Sequence, residues 1–289
     1  MILVTGATGK TGRHLTGELV RHGERVRAFV RNPATAAAVL GSEVEIVTGD
    51  LDRTDTLEAV MSGVDLLYLL VPPSPRLAEV EAGAVEVARR GGVRRIVKHS
   101  AIDARPAARS SIARMHASGE QLLAASGLDH TILRGSMFMQ NFLLFAESIA
   151  VAGEIRAPMR NGRCAFIDCV DLAAVAAAVL TEDGHNGRTY VVTGPEALSA
   201  ADAAARLSAA LDRPVRYVDC PPEETRATLR GQGSPVWMVA DMLASIETLA
   251  AGEVDAVTDV VQRVAGRPPR TFAMFARDAA PLLAAGAPS

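Results

Sequence analysis

The stretch Met1-Ile2-Leu3-Val4-Thr5-Gly6-Ala7-Thr8-Gly9-Lys10-Thr11-Gly12 decides the fold. An apolar strand closes at Thr5, a glycine-rich turn follows, and a helical pattern opens at Gly12 and runs through Arg21. The first N–H groups of such a helix have no partner within it, and they meet the turn at the positive end of the helix dipole. That is an anion site made of backbone. Gly6 permits the sharp turn, Gly9 lets a diphosphate approach the chain, and Gly12 lets the helix lie close on the strand. Thr8, Lys10 and Thr11, between the glycines, join them as expected dinucleotide contacts. The spacing is G-x-x-G-x-x-G, one residue longer than the usual G-x-G-x-x-G fingerprint.

Outward from this turn, β-rich runs alternate with helical ones. Strands are expected at 25–30, 43–47, 64–71, 94–99 and 130–133, with helices at 12–21, 54–61, 76–90 and 111–125. Leu66-Leu67-Tyr68-Leu69-Leu70-Val71 is apolar throughout, as a strand covered on both faces must be. Alternation of this kind implies parallel pairing with right-handed crossovers, hence an α/β, doubly wound parallel sheet of the Rossmann kind. The sheet and its ligand are assigned to residues 1–150, and a smaller C-terminal α/β lobe, interleaved with the first, to 151–289. In the lobe, helices are expected at 137–149, 171–180 (capped by Asp171), 199–211 (capped by Ser199), 222–230, 235–251 and 272–284. Short strands are expected at 154–156, 164–167, 189–192 and 215–218, and an Ala/Pro/Ser tail frays from Ala285.

The 289 residues carry a net charge of −3 and 49% hydrophobic residues, enough for one large core. Nothing interleaves basic with aromatic residues, so no nucleic-acid partner is expected. Lysine occurs only at Lys10 and Lys98. Cys164, Cys169 and Cys220 show no C-x-x-C spacing, and the six histidines show no metal-ligand spacing. No apolar run reaches membrane-spanning length, and the first strand begins at Met1. These features imply a soluble, cytoplasmic monomer or homodimer without metal or membrane partner.

Ligands of a doubly wound sheet sit beyond the carboxyl ends of the strands. An acidic residue closing the second strand would grip a ribose 2′-hydroxyl, but Phe29-Val30-Arg31-Asn32-Pro33 places Arg31 there. A guanidinium pairs with a 2′-phosphate, a charge-assisted contact worth roughly 1.5–3 kcal/mol. NADP(H) is therefore favoured, with NAD(H) possible. Asp50 and Leu51 close the third strand beside the expected adenine, and Val71 with Pro72 closes the fourth. Lys98-His99-Ser100 ends the fifth, where the nicotinamide should lie, and Lys98 and Ser100 are assigned to the cofactor.

Taken together, these motifs resemble the NmrA-like branch of the atypical short-chain dehydrogenases/reductases. Ile132-Leu133-Arg134, Met139-Gln140-Asn141-Phe142, Phe166-Ile167-Asp168-Cys169-Val170-Asp171-Leu172-Ala173 and Thr189-Tyr190-Val191-Val192-Thr193-Gly194-Pro195-Glu196 extend the match over nearly the whole chain. Gly135 departs from it, standing where relatives often carry proline, and is expected to loosen the entry to the lobe. The resemblance implies NAD(P)H-dependent quinone or azo-dye reduction, tailoring of aromatic polyketides, or a cofactor-sensing regulator without catalysis.

The Tyr-x-x-x-Lys pair of orthodox members is absent: Tyr68, Tyr190 and Tyr217 are followed four residues later by Pro72, Gly194 and Pro221. His116 and Glu120, one helical turn apart, occupy the corresponding places. As a functional pair, Glu120 raises the pKa of His116, and His116 protonates an oxygen; as a surface pair, they contribute a few tenths of a kcal/mol. Quinone reduction tolerates a weak acid, because the oxygen becomes a phenolate. The expected substrate is accordingly a quinone-like or polycyclic aromatic, bound by Met137, Phe138, Asn141 and Phe142, with Trp237 on the opposite wall. A reduced aromatic of this kind also reacts with O2, so flavin- and metal-free hydroxylation is a further reading.

Overall fold

The computed structural model describes residues 1–286; residues 287–289, most of the tail expected to fray, lie outside the described residues. Six strands and five helices alternate through the first half: β1 (Ile2–Thr5), α1 (Gly12–Arg21), β2 (Val26–Val30), α2 (Pro33–Leu40), β3 (Glu45–Thr48), α3 (Thr54–Glu58), β4 (Leu66–Leu69), α4 (Leu77–Arg90), β5 (Arg95–Ala101), α5 (Ser111–Ala125) and β6 (Asp129–Gly135). A 3₁₀ segment (Met139–Phe145) leads to α6 (Ala146–Ala152), β7 (Glu154–Arg156), β8 (Arg163–Cys164), α7 (Cys169–Thr181), β9 (Arg188–Val192) and β10 (Leu198–Ser199). The chain closes with α8 (Ala200–Leu211), β11 (Arg216–Val218), α9 (Pro222–Gly231), α10 (Val236–Ala250), α11 (Val260–Ala265) and α12 (Phe272–Ala285).

The central sheet has the order β3-β2-β1-β4-β5-β6-β9. All its pairings are parallel, and Ile2 of β1 stands opposite both Val26 of β2 and Leu66 of β4. The order reverses between β1 and β4, which opens the ligand crevice beyond their carboxyl ends. One face buries Ile2, Val4, Tyr68, Val97 and Leu133 together with α1 and α7. The other buries Leu3, Leu67, Leu69 and Ile96 under α4 and α5. β9 returns from the second half of the chain to extend the sheet beside β6, and Thr131 to Gly135 pair with it.

The smaller lobe has its own core, in which Phe142 stands edge-on to Phe166 and Phe272 at 5.1 and 4.9 Å. Several local expectations need correction. The run 137–149 is not one helix, since its first part winds as 3₁₀ before α6 begins. α7 starts two residues early because Asp168, not Asp171, caps it by accepting from the Val170 amide. Asp171 instead accepts from the Arg270 amide at 2.6 Å and pairs with Arg267 at 2.9 Å. α2 was not anticipated; Asn32 caps it by accepting from the amides of Ala34 and Thr35. Gly135 does not loosen the chain: it is paired on β6, and a Cβ there would meet Leu172 at 2.9 Å.

Candidate functional site

Gly6 holds a left-handed φ of 63°, open to glycine without cost. The Gly9 amide donates to the Gly6 carbonyl at 2.9 Å, folding the turn under the start of α1. A Cβ on Gly12 would stand 2.1 Å from that same carbonyl oxygen. No side chain caps α1, and its first turn holds no acidic residue. The Arg13 and His14 amides are taken by the Gly9 and Thr11 carbonyls, so the amides that remain for a diphosphate are those of Lys10, Thr11 and Gly12. Thr8 and Gly9 are exposed and Lys10 half-buried, whereas Thr11 and Gly12 lie beneath them.

Arg31 is exposed at the end of β2 and has no ion-pair partner among the described residues. Capping of the following helix falls to Asn32, so the guanidinium is available for a 2′-phosphate. Asp50 is half-buried and accepts from the Asp52 amide at 3.1 Å, which gives it a turn-forming task as well. Leu51 is half-buried beside it, Val71 is buried and Pro72 exposed at the end of β4. An uncapped helix, a glycine cradle and an unpaired arginine fit NAD(P)H, with the diphosphate at the glycine turn.

The polar end of β5 sorts onto two faces, because successive strand residues point oppositely. Lys98 and Ser100 face α4 and α5. Lys98 has no exposed surface, and its Nζ lies 2.6 Å from Glu81 Oε1 and 3.1 Å from His116 Nδ1. Lys98 therefore does not touch the cofactor, and this assignment is corrected. Ser100, 2% exposed, donates to Glu120 at 2.5 Å. Burial pulls the Lys98 ammonium below its usual range, and the Glu81 carboxylate partly restores it.

His116 and Glu120 share a helix face but not a partner. His116 Nδ1 lies 3.1 Å from Glu81 Oε1, while Glu120 pairs with Arg134 of β6. Burial lowers the pKa of His116, with Glu81 opposing and Lys98 assisting. Glu81, a residue of α4 that no motif signalled, is the nearer acidic partner of His116, and the field of Glu120 adds a smaller contribution in the same direction. His99, between the two assigned residues, faces the other side and was passed over. Its Nδ1 lies 2.8 Å from the Tyr68 hydroxyl, and its ring is edge-on to Phe138 at 6.0 Å. Strand alternation was the signal that would have singled it out.

Met137 and Phe138 are half-buried and Asn141 is exposed, so all three offer surface to a substrate. Phe142, at 2% exposure, belongs to the lobe core and is not a substrate contact. Trp237, at the start of α10, lines an open recess of about 370 Å³ with Pro75, Ser111, Arg114, Met115 and Ser118, on the outer side of α5. α10 is tied to α5 by Asp241, which accepts from Ser110 Oγ, Ser111 Oγ and the Ile112 amide at 3.0, 2.7 and 3.0 Å. Among the described residues no cluster of three metal ligands occurs, and no helix is long and apolar enough to cross a membrane.

Residues 6–183 match the protein family described as NAD(P)H-binding. The NAD(P)H azoreductase of Xenophilus azovorans is 38% identical over 278 residues, covering 96% of this chain and 97% of that protein. The (4-alkanoyl-5-oxo-2,5-dihydrofuran-3-yl)methyl phosphate reductase of Streptomyces griseus is 38% identical over 275 residues, covering 94% and 95%. Among solved structures, the NADPH-dependent quinone oxidoreductase of Escherichia coli complexed with NADPH superposes with a TM-score of 0.87 at 28% identity, covering 96% and 99%.

Proposed function

Because this chain belongs to the NAD(P)H-binding family, we propose that it is an NADPH-dependent reductase of flat, conjugated acceptors, with quinones as the leading substrate class. The observation that carries this reading is the uncapped glycine turn at α1 with unpaired Arg31 beside it, in a chain whose reductase relatives match it nearly end to end. Quinones, azo dyes and polycyclic aromatics share one chemistry: a planar acceptor that takes two electrons and leaves its charge delocalised.

The glycine-turn amides would hold the diphosphate, Arg31 the 2′-phosphate, and Asp50 with Leu51 the adenine. When bound, the reduced nicotinamide supplies a hydride. The balance is quinone plus NADPH plus one proton, giving hydroquinone plus NADP⁺. His116 is the proton-holding group proposed for the product oxygen. Its Nδ1 rests on Lys98 and Glu81, both charged groups without appreciable exposure. Met137, Phe138 and Asn141 would meet the flat face of the acceptor. Neither the regulator nor the hydroxylating alternative is favoured, since the two 38%-identical relatives are named as reductases.

The test mixes purified protein with NADPH and p-benzoquinone, menadione or an azo dye, and follows absorbance of the reduced nicotinamide. Turnover of at least one acceptor is expected, with NADPH preferred over NADH. Tight cofactor binding without turnover of any acceptor would overturn the enzymatic reading.

A further inference from the structure

We propose that His99 is a fixed, neutral hydrogen-bond donor to the acceptor oxygen of the substrate, with buried Tyr68 as the positioning residue that sets its tautomer. This rests on the reductase reading above and adds a residue to it. Tyr68 is fully buried on β4, and its hydroxyl has one partner among the described residues, His99 Nδ1 at 2.8 Å. If Nδ1 carried the proton, the phenol O–H would point into the core without an acceptor, at a cost of about 1–3 kcal/mol. The phenol therefore donates, Nδ1 accepts, and the ring proton sits on Nε2.

A doubly protonated ring is disfavoured for the same reason, since the phenol would have to accept from Nδ1–H and leave its own O–H without an acceptor. The groups around the ring act in the same direction. Lys98 on its own strand and His116 on α5 add positive potential, Tyr68 on β4 offers a neutral hydroxyl, and Phe138 after β6 is apolar. With burial as the leading cause, they bring the imidazole down to about 3. Cys169 of α7, near Tyr68, is held as a neutral thiol by burial.

Among the described residues Nε2 makes no hydrogen bond, and the His99 ring is only half-buried at the carboxyl end of β5, where a doubly wound sheet binds its ligands. A neutral N–H held by a buried phenol stays a donor across physiological pH. Such a donor suits an oxygen that gains negative charge as the acceptor is reduced.

The test compares His99→Leu, His99→Gln and Tyr68→Phe with wild type, using p-benzoquinone and NADPH from pH 5 to 8. His99→Leu should lower kcat/KM about a hundredfold with NADPH affinity unchanged, in line with loss of one such donor. His99→Gln, which keeps an N–H near the Nε2 position, should recover most of that loss. Tyr68→Phe, which leaves the ring buried but removes the donor to Nδ1, should let the His99 proton move onto Nδ1 by 15N NMR and should show part of the His99→Leu loss in kcat/KM. Wild-type rates in His99→Leu, or an unaltered His99 tautomer in Tyr68→Phe, would overturn the proposal. If wild type itself turned over no quinone, the reductase reading would fall. The tautomer would then be judged by 15N NMR, where a proton on Nδ1 at pH 7 would overturn it.

Discussion

Gly119 of α5 and Glu81 of α4 interlock: a Cβ on Gly119 would stand 1.8 Å from Oε2 of Glu81. That oxygen is buried without a hydrogen-bond partner, and Oε1 of the same carboxylate carries both Lys98 and His116. The glycine is the space in which a charged side chain crosses between two helices. Gly119→Ala must displace the carboxylate and leave the Lys98 ammonium uncompensated, at a cost of about 3–5 kcal/mol. The gain in helix propensity from Gly to Ala is only about 1 kcal/mol, so the loss dominates. A fall in Tm on the order of 10 °C is expected by calorimetry. An unchanged Tm would mean that the carboxylate has another place to go.

Gly12→Ala addresses the cofactor. Its Cβ would meet the Gly6 carbonyl oxygen at 2.1 Å and the Ala7 Cα at 2.8 Å, both backbone, so α1 must retreat from the turn. The amides that face the diphosphate retreat with it. Calorimetric titration should show NADPH affinity reduced by at least about a hundredfold, the loss of roughly 3 kcal/mol of charge-assisted contact. Binding at the wild-type level would place the diphosphate elsewhere.

Arg31→Glu replaces an unpaired cation with an anion at the end of β2. NADPH affinity should fall about tenfold to a hundredfold while NADH is little affected, because only the 2′-phosphate meets the changed charge. Parallel titrations with both nucleotides read this directly. Equal losses for the two would assign Arg31 to a part of the ligand they share.

How legible the molecule was depends on the range of the interactions involved. The central sheet could be read because strand-to-helix alternation and the glycine turn are local signals, and α1 and α5 begin and end where their patterns do. Asn32 followed by Pro33 was also a local signal, an N-cap before proline, and it was overlooked. Glu81 was beyond reach for a different reason. Its pairing with Lys98 and His116 joins α4, β5 and α5 across the sheet interior, and no spacing within one element encodes it. Phe142 misled because a core of edge-on rings and an aromatic slot have the same composition. Only the neighbours Phe166 and Phe272 distinguish them.

Asp241 tests whether α10 is held against the start of α5. It is the only side chain of α10 that accepts from the first turn of α5, through Ser110, Ser111 and the Ile112 amide. An anion at a helix N-terminus combined with lost hydrogen bonds is worth about 1–3 kcal/mol. Asp241→Ala should accelerate amide exchange in α10 about tenfold to a hundredfold while the central sheet keeps its protection. Uniform acceleration everywhere would show a global loss instead of a released helix.

Acid stability follows from His99. The unfolded chain takes up this proton at an ordinary histidine pKa of 6.5, whereas the folded chain holds the ring near 3. Between those values the unfolded state binds a proton that the folded state refuses, so stability is intact above about pH 6.5 and declines as pH falls toward 3. One such group contributes a slope of at most about 1.4 kcal/mol per pH unit. His14, His116 and His185 are shifted in the same direction, each chiefly by burial, and steepen the decline. Urea unfolding of wild type and His99→Leu at pH 7, 6, 5 and 4 separates the contributions. The variant should be less stable at pH 7, where the Tyr68 hydroxyl loses its acceptor, yet should lose stability more slowly on acidification, so the two curves converge toward pH 4. Parallel curves would show that His99 titrates alike in both states, and burial would then not be what keeps its ring neutral.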